Sequence, residues 1–133
     1  MNEVMVALKE EFDIVTARGA GREMARQLGF GSADQTRLAT AISELARNAL
    51  QYAGEGVCLI SDESDARRSR VKVVVEDHGP GIPDIEQAMT DGFTTGGGLG
   101  AGLPGAKRLA HEFEIESEPG RTRVTIGMNR VRV

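Results

Sequence analysis

Tryptophan is absent from the 133 residues, aromatic residues make up only 4%, and cysteine is represented by Cys58 alone. Each shortage excludes something. A single cysteine forms no internal disulfide, which agrees with a reducing compartment and predicts a cytoplasmic protein. Positive charge is not in surplus either: 16 Lys and Arg face 20 Asp and Glu, for a formal net charge of −4. The basic, aromatic-rich surface of a nucleic-acid binder is missing, so neither DNA nor RNA is expected as a partner. No stretch approaches the roughly 20 apolar residues of a membrane span, and the N-terminus lacks a basic region followed by an apolar core and cleavage site. The remainder, 40% apolar and 27% charged in 14.2 kDa, fits one domain over residues 1–133 with a modest core.

Glycine is in excess, with 17 of 133 residues against about 7% in an average protein. Nine of these glycines fall between Gly79 and Gly105. The excess is local, and local glycine marks backbone that a side chain would obstruct. With only 4 prolines and no three-residue period, a collagen-like repeat is excluded.

Periodicity predicts a mixed α/β chain without repeats or linkers. Val4, Val6 and Leu8 alternate as a first strand, followed by an acidic turn over 9–13. Asp13 is a candidate N-cap for a helix to about Leu28, closed by Gly29. Ser32 and Gln35 have capping-box spacing for a second helix to about Tyr52. Along it Leu38, Ile42, Leu45, Ala49 and Tyr52 form an apolar stripe, and Gly54 and Gly56 end it. Strands are predicted over 57–61 and 71–76, with a charged loop between them. A further helix is expected from near Pro104 to Ala110, then a hairpin of strands 113–117 and 122–128 around Pro119-Gly120 and a short basic tail. This order favours an α+β two-layer sandwich: a mixed, mostly antiparallel sheet with helices on one face.

Three segments carry chemistry. Glu44 and Asn48 lie four residues apart on the second helix, hence on one side of it. Such a pair can serve as a proton acceptor and a neutral oxygen ligand for a hard cation such as Mg²⁺, or simply as a solvated helix face. Asp77-His78-Gly79-Pro80-Gly81-Ile82-Pro83 follows the most apolar strand. An aspartate at the end of a buried strand needs hydrogen bonds from backbone amides or from a ligand. Gly79 and Gly81 remove side chains beyond it, so a flat group can lie there and donate an amine proton to Asp77; a tight turn with an Asx cap is the alternative. The third segment, 96–105, contains Gly98, Leu99, Gly100, Ala101, Gly102 and Leu103 before a helix. Exposed N–H groups leading into a helix N-terminus suit anionic oxygens, the alternative being a lid without a ligand. Gly100 to Gly105 matches the dinucleotide fingerprint by letter only, because no strand precedes it and no βαβ unit surrounds it.

Between Lys72 and Lys107 there is no lysine or arginine, whereas Glu76, Asp77, Asp84, Glu86 and Asp91 are acidic. Phosphates bound here must be neutralised by a metal and by backbone amides, with Arg47 or Lys107 at the edges. That ties Asn48, as a Mg²⁺ ligand, to the glycine-rich loop.

In order and spacing the three segments resemble the ATP-binding motifs of the GHKL superfamily, the gyrase, Hsp90, histidine kinase and MutL type. Glu44-Leu45-Ala46-Arg47-Asn48-Ala49 resembles its N box, 77–82 its first glycine box and 98–103 its second. The resemblance implies a Bergerat, histidine-kinase-like ATPase fold with a lid over about 84–98. It implies that Asp77 accepts from the adenine amine beside Gly79, Gly81 and Ile82, that Asn48 holds Mg²⁺, and that backbone amides of the second glycine box meet the phosphates. Thr122 resembles the threonine that assists adenine recognition, although Arg121 stands where many members have glycine.

Within the superfamily, Glu44 and the chain length are similar to the stand-alone serine/threonine kinase and anti-sigma factor group, and most to its RsbT switch-kinase family. Phe12-Asp13-Ile14-Val15, Leu28-Gly29-Phe30-Gly31 and Asp91-Gly92-Phe93 add to that similarity. It implies phosphorylation of serine or threonine on STAS-domain scaffold proteins of a stressosome, with Glu44 as general base, followed by activation of a PP2C-type phosphatase. A non-catalytic, nucleotide-dependent anti-sigma-like binding module is the alternative. Arg47 is left between a phosphate and a partner. His78 is expected at a variable loop position, His111 as a helix-end cation, Cys58 as a small buried group, and Met5, Met24, Met89 and Met128 as core filler.

Overall fold

The computed structural model describes residues 2–90 and 102–132. Strands β1 (Glu3–Leu8), β2 (Gly56–Asp62), β3 (Arg68–Asp77), β4 (Glu112–Glu118) and β5 (Arg121–Val131) form one sheet in the order β1-β2-β3-β5-β4. Every pairing is antiparallel, so the sheet contains no parallel pair. The helices are α1 (Phe12–Gln27), α2 (Ser32–Ala53), the short α3 (Ile85–Ala88) and α4 (Gly102–Leu109).

Side-chain alternation gives the sheet two unlike faces. Cys58 and Ile60, Val71, Val73 and Val75, and Val124, Ile126 and Met128 point to one side and pack with Ile14, Leu38, Ile42 and Leu45 of the helices in a single core. The opposite face carries Met5, Val57, Lys72, Glu114 and Glu116, and no described helix covers it. Met5, expected in the core, is therefore 71% exposed, whereas Met24 and Met128 are buried. Between the two long helices, α1 crosses α2 at Gly21, where a Cβ would collide with Ile42 Cδ1.

Helix starts depart from expectation. Asp13 lies inside α1, which begins after Glu11, and its carboxylate accepts the N–H groups of Lys9 and Glu10 at 2.8 and 3.0 Å. It closes the turn leading into the helix rather than capping the helix. Ser32 is the first residue of α2 after the N-cap Gly31, and the Gln35 amide donates to the Phe30 carbonyl, so no capping box forms. At the far end Gly54, with φ 80°, stops α2, whereas Gly56 already belongs to β2. Tyr52 is 47% exposed and leaves the apolar stripe. Helix α4 begins at Gly102, two residues before the expected start, and the basic tail continues β5 to Val131.

Candidate functional site

The end of β3 is positioned by the strands beside it. Register places Asp77 opposite Thr122 on β5 and Thr122 opposite Ser117 on β4, all on the helix-facing side. Asp77 and Thr122 are 6% and 4% exposed. One oxygen of the Asp77 carboxylate, Oδ1, accepts the Gly79 N–H at 3.0 Å, which is the Asx turn. No described residue donates to Oδ2, so the turn satisfies only one of the two oxygens. Burial is the main cause that pushes the Asp77 carboxyl above the usual aspartate range; the Gly79 N–H and His78 oppose it, and Glu76 adds to it.

The turn after Asp77 is held between α2 and the β4–β5 hairpin. A Cβ on Gly79 would lie 2.7 Å from Ala53 Cβ, so this backbone rests directly on the C-terminal turn of α2. Gly81 has φ 85°, and a Cβ there would overlap the Glu118 carbonyl oxygen. The next N–H, from Ile82, donates to Ser117 Oγ at 2.7 Å, and Ser117 Oγ is also 2.7 Å from Thr122 Oγ1. Gly81 is thus required by close approach as well as by turn geometry, and Gly79 by close approach alone.

On α2, Glu44 and Asn48 project one turn apart, as their spacing predicts. The Glu44 side chain is 3% exposed and meets the 41% exposed Arg47 at 3.4 Å. Asn48 is half-buried, and its neighbour Ala49 packs 3.2 Å from where a Cβ of Gly56 would sit, beside Asp77 Cβ at 3.5 Å. The N-box helix and the Asp77 turn are therefore packed together around Gly56. Arg47 also lines a surface cleft of about 450 Å³ between α2 and the β1–α1 turn, with Lys9, Glu10 and Glu11. Among the described residues no group of three or more His, Cys, Asp or Glu side chains forms a ready-made metal site.

Of the second glycine box, Gly98, Leu99, Gly100 and Ala101 lie outside the described residues, as do Asp91-Gly92-Phe93 and most of the expected lid. Gly102, at φ 68°, opens α4, which packs on α2, while the Leu103 side chain is core. Cys58 is fully buried and its thiol is pushed up to about 12 by that burial, consistent with a packing role. His111 Nδ1 accepts the Asn129 N–H at 2.8 Å.

Two contributors escaped the sequence. Ser117 joins the first glycine box to Thr122, and Arg121 meets Glu76 at 3.1 Å, Glu118 at 3.7 Å and Glu116 at 3.9 Å across three strands. Arg121 therefore ties the hairpin to β3 at the position where a glycine was expected. Strand alternation could have placed Ser117 on the inner face, but only the register shows what it touches.

Residues 33–131 match the model of the histidine kinase-, DNA gyrase B-, and HSP90-like ATPase family. The chain is 55% identical over 115 residues to the serine/threonine-protein kinase RsbT of Bacillus subtilis, covering 86% of each chain. It is 34% identical over 100 residues to an anti-sigma F factor of Caldanaerobacter subterraneus subsp. tengcongensis, covering 68% of this chain and 70% of that one. A Mycobacterium tuberculosis structure of RsbU and RsbW domains shares the fold with a TM-score of 0.68 at 21% identity, over 98% of this chain but 33% of the longer one. The catalytic domain of the histidine kinase ThkA does so at 0.53 and 22% identity, over 96% and 95% of the two chains. A buried aspartate at a strand end, a glycine turn packed on the N-box helix, and these relationships agree: the chain belongs to the histidine kinase-, DNA gyrase B- and HSP90-like ATPase family and is, within that nucleotide-binding fold, a protein serine/threonine kinase of the RsbT kind.

Proposed function

We propose that this kinase, a single domain over 1–133 acting in the cytoplasm, phosphorylates serine or threonine on STAS-domain scaffold proteins of a stressosome and, once released from them, activates a PP2C-type phosphatase. The observation that carries the nucleotide part is the Asp77 carboxylate, buried, with one oxygen in the Asx turn and no described donor on the other. That oxygen suits the exocyclic amine of adenine, with Thr122 beside it and the Gly79, Gly81 and Ile82 backbone held in place by its packing on Ala53, Glu118 and Ser117.

Phosphoryl transfer asks mainly for positioning and charge neutralisation. Mg²⁺ held by Asn48 and the phosphates would supply charge that residues 73–106, without a lysine or arginine, do not. Glu44 is the group to accept or orient the hydroxyl proton of the acceptor, since it is a carboxylate one turn from Asn48. Backbone amides of Gly98, Leu99, Gly100, Ala101 and Gly102 are assigned to the phosphates. The cleft lined by Arg47 supports a partner-facing role for that arginine, because it opens to solvent on the side of Glu10 and Glu11 while touching Glu44. The likeness to the serine/threonine-protein kinase RsbT supports transfer to a serine or threonine of a protein; the STAS and phosphatase partners are what the family resemblance implies.

A second reading, a nucleotide-dependent binding module without catalysis, is favoured by the likeness to an anti-sigma F factor. Incubation with labelled ATP, with and without Mg²⁺, and with purified STAS-domain proteins tests both. Label on a serine or threonine of the STAS protein, dependent on Mg²⁺, is the expected result. Tight nucleotide binding with no transfer to any such protein would leave the binding module standing instead.

A further inference from the structure

We propose that Ser117 sets the direction of the Thr122 hydroxyl and so makes the site select adenine over 6-oxopurines. The inference rests on the adenine-nucleotide reading above. A hydroxyl has one hydrogen to give and two lone pairs. Ile82 N–H can only donate, and at 2.7 Å it occupies one lone pair of Ser117 Oγ. The Ser117 hydrogen then has Thr122 Oγ1, also at 2.7 Å, as its acceptor among the described residues. Were Thr122 to donate instead, the Ser117 hydrogen would have no acceptor among the described residues, so the arrangement in which Ser117 donates makes one more protein hydrogen bond.

With Ser117 donating, Thr122 keeps its own hydrogen for the site. Directly opposite on β3, Asp77 Oδ2 offers only lone pairs. The two together present a donor beside an acceptor, the complement of the adenine edge, whose N1 accepts and whose exocyclic amine donates. A water between Thr122 and the ring keeps this polarity, because it accepts from Thr122 and passes its hydrogens to N1 and Asp77. A 6-oxopurine carries N1–H and a carbonyl oxygen, opposite at both positions. The relay is rigid at its source: Gly81, at φ 85° and pressed on the Glu118 carbonyl, fixes where the Ile82 N–H points.

The test is a set of binding titrations with Mg²⁺ and ATP, purine riboside triphosphate, which lacks the amine but keeps the N1 acceptor, or inosine triphosphate. The expected order is ATP tightest, purine riboside triphosphate next and inosine triphosphate last, at least about 30-fold weaker than ATP. Inosine triphosphate binding as well as purine riboside triphosphate overturns the proposal, and this ranking needs no variant to fold. In Ser117→Ala the ATP to inosine triphosphate preference should fall about tenfold while ATP itself weakens about threefold to tenfold, and Ser117→Thr should restore the preference. A preference unchanged in a folded Ser117→Ala protein means that Ser117 only clamps the turn, and overturns the proposal. A wild-type protein that binds none of the three nucleotides overturns the adenine reading itself, which is a separate result.

Discussion

Replacing Asp77 by asparagine should weaken nucleotide binding and strengthen the empty protein at the same time, two effects with one cause. The carboxylate is buried, and loss of water is the main reason its proton is held more tightly than in an ordinary aspartate. An asparagine keeps the Oδ1 acceptor for the Gly79 N–H and places no charge in that environment. For the sign, a carboxyl whose folded value lies above its ordinary 3.8 favours folding when protonated, and that contribution is lost as pH rises through the folded value. The wild type therefore bears a penalty at pH 7 that Asp77→Asn lacks, and the two should converge toward pH 3. On the ligand side, a hydrogen bond to a charged group contributes about 1.5–3 kcal/mol, a factor of about 10 to 150 in Kd. The asparagine Nδ2 also faces the adenine amine donor to donor, so the upper end is expected. Thermal melts without nucleotide at pH 7 and 3, with calorimetric titration of Mg-ATP, measure both effects. An Asp77→Asn protein that melts lower and binds ATP normally would refute the reasoning on both counts.

Glu44→Ala should leave ATP affinity within about twofold and lower phosphotransfer to a protein substrate by about 10²- to 10⁴-fold, as measured by labelled-phosphate incorporation; weakened ATP binding would argue against a role confined to the acceptor hydroxyl. Gly81→Ala meets both an unfavourable φ and the Glu118 carbonyl, so urea unfolding should register a loss of about 1–3 kcal/mol and ATP binding should weaken with it. Glu112 accepts Arg70 at 2.9 Å through both oxygens and Asn129 at 2.7 Å, and Arg70 leads the causes that bring its carboxyl down to about 2. That contribution is complete above the ordinary 4.5 and disappears as pH falls through about 2, so the stability gap between wild type and Glu112→Gln should be present at pH 7 and close near pH 2. The carboxylate is 43% exposed, so solvent screening keeps the gap to about 1 kcal/mol or less.

Local pattern reports what a residue does within its own turn or strand, and that much was legible before any fold was known. Alternation in Val71, Val73 and Val75, the apolar stripe from Leu38 to Ala49, the one-turn spacing of Glu44 and Asn48, and the glycines around Asp77 all followed from the sequence. The cap assignments at Asp13 and Ser32 did not, because a carboxylate or amide chooses among several nearby backbone partners, and here the loops before the helices supplied better-placed ones. Met5, a core residue by type, lies on the face of β1 opposite Val6 and Leu8, which no described helix covers. The Asp77–Thr122–Ser117 row, the Ser117 bond to Ile82 35 residues away, and the Arg121 bond to Glu76 45 residues away exist only once β5 lies between β3 and β4. The sequence by itself determined which chemical groups this kinase has and which of them share a helix or a turn. Only the tertiary structure decided which groups face one another, because strand register brings together residues far apart in the chain and no local periodicity encodes it.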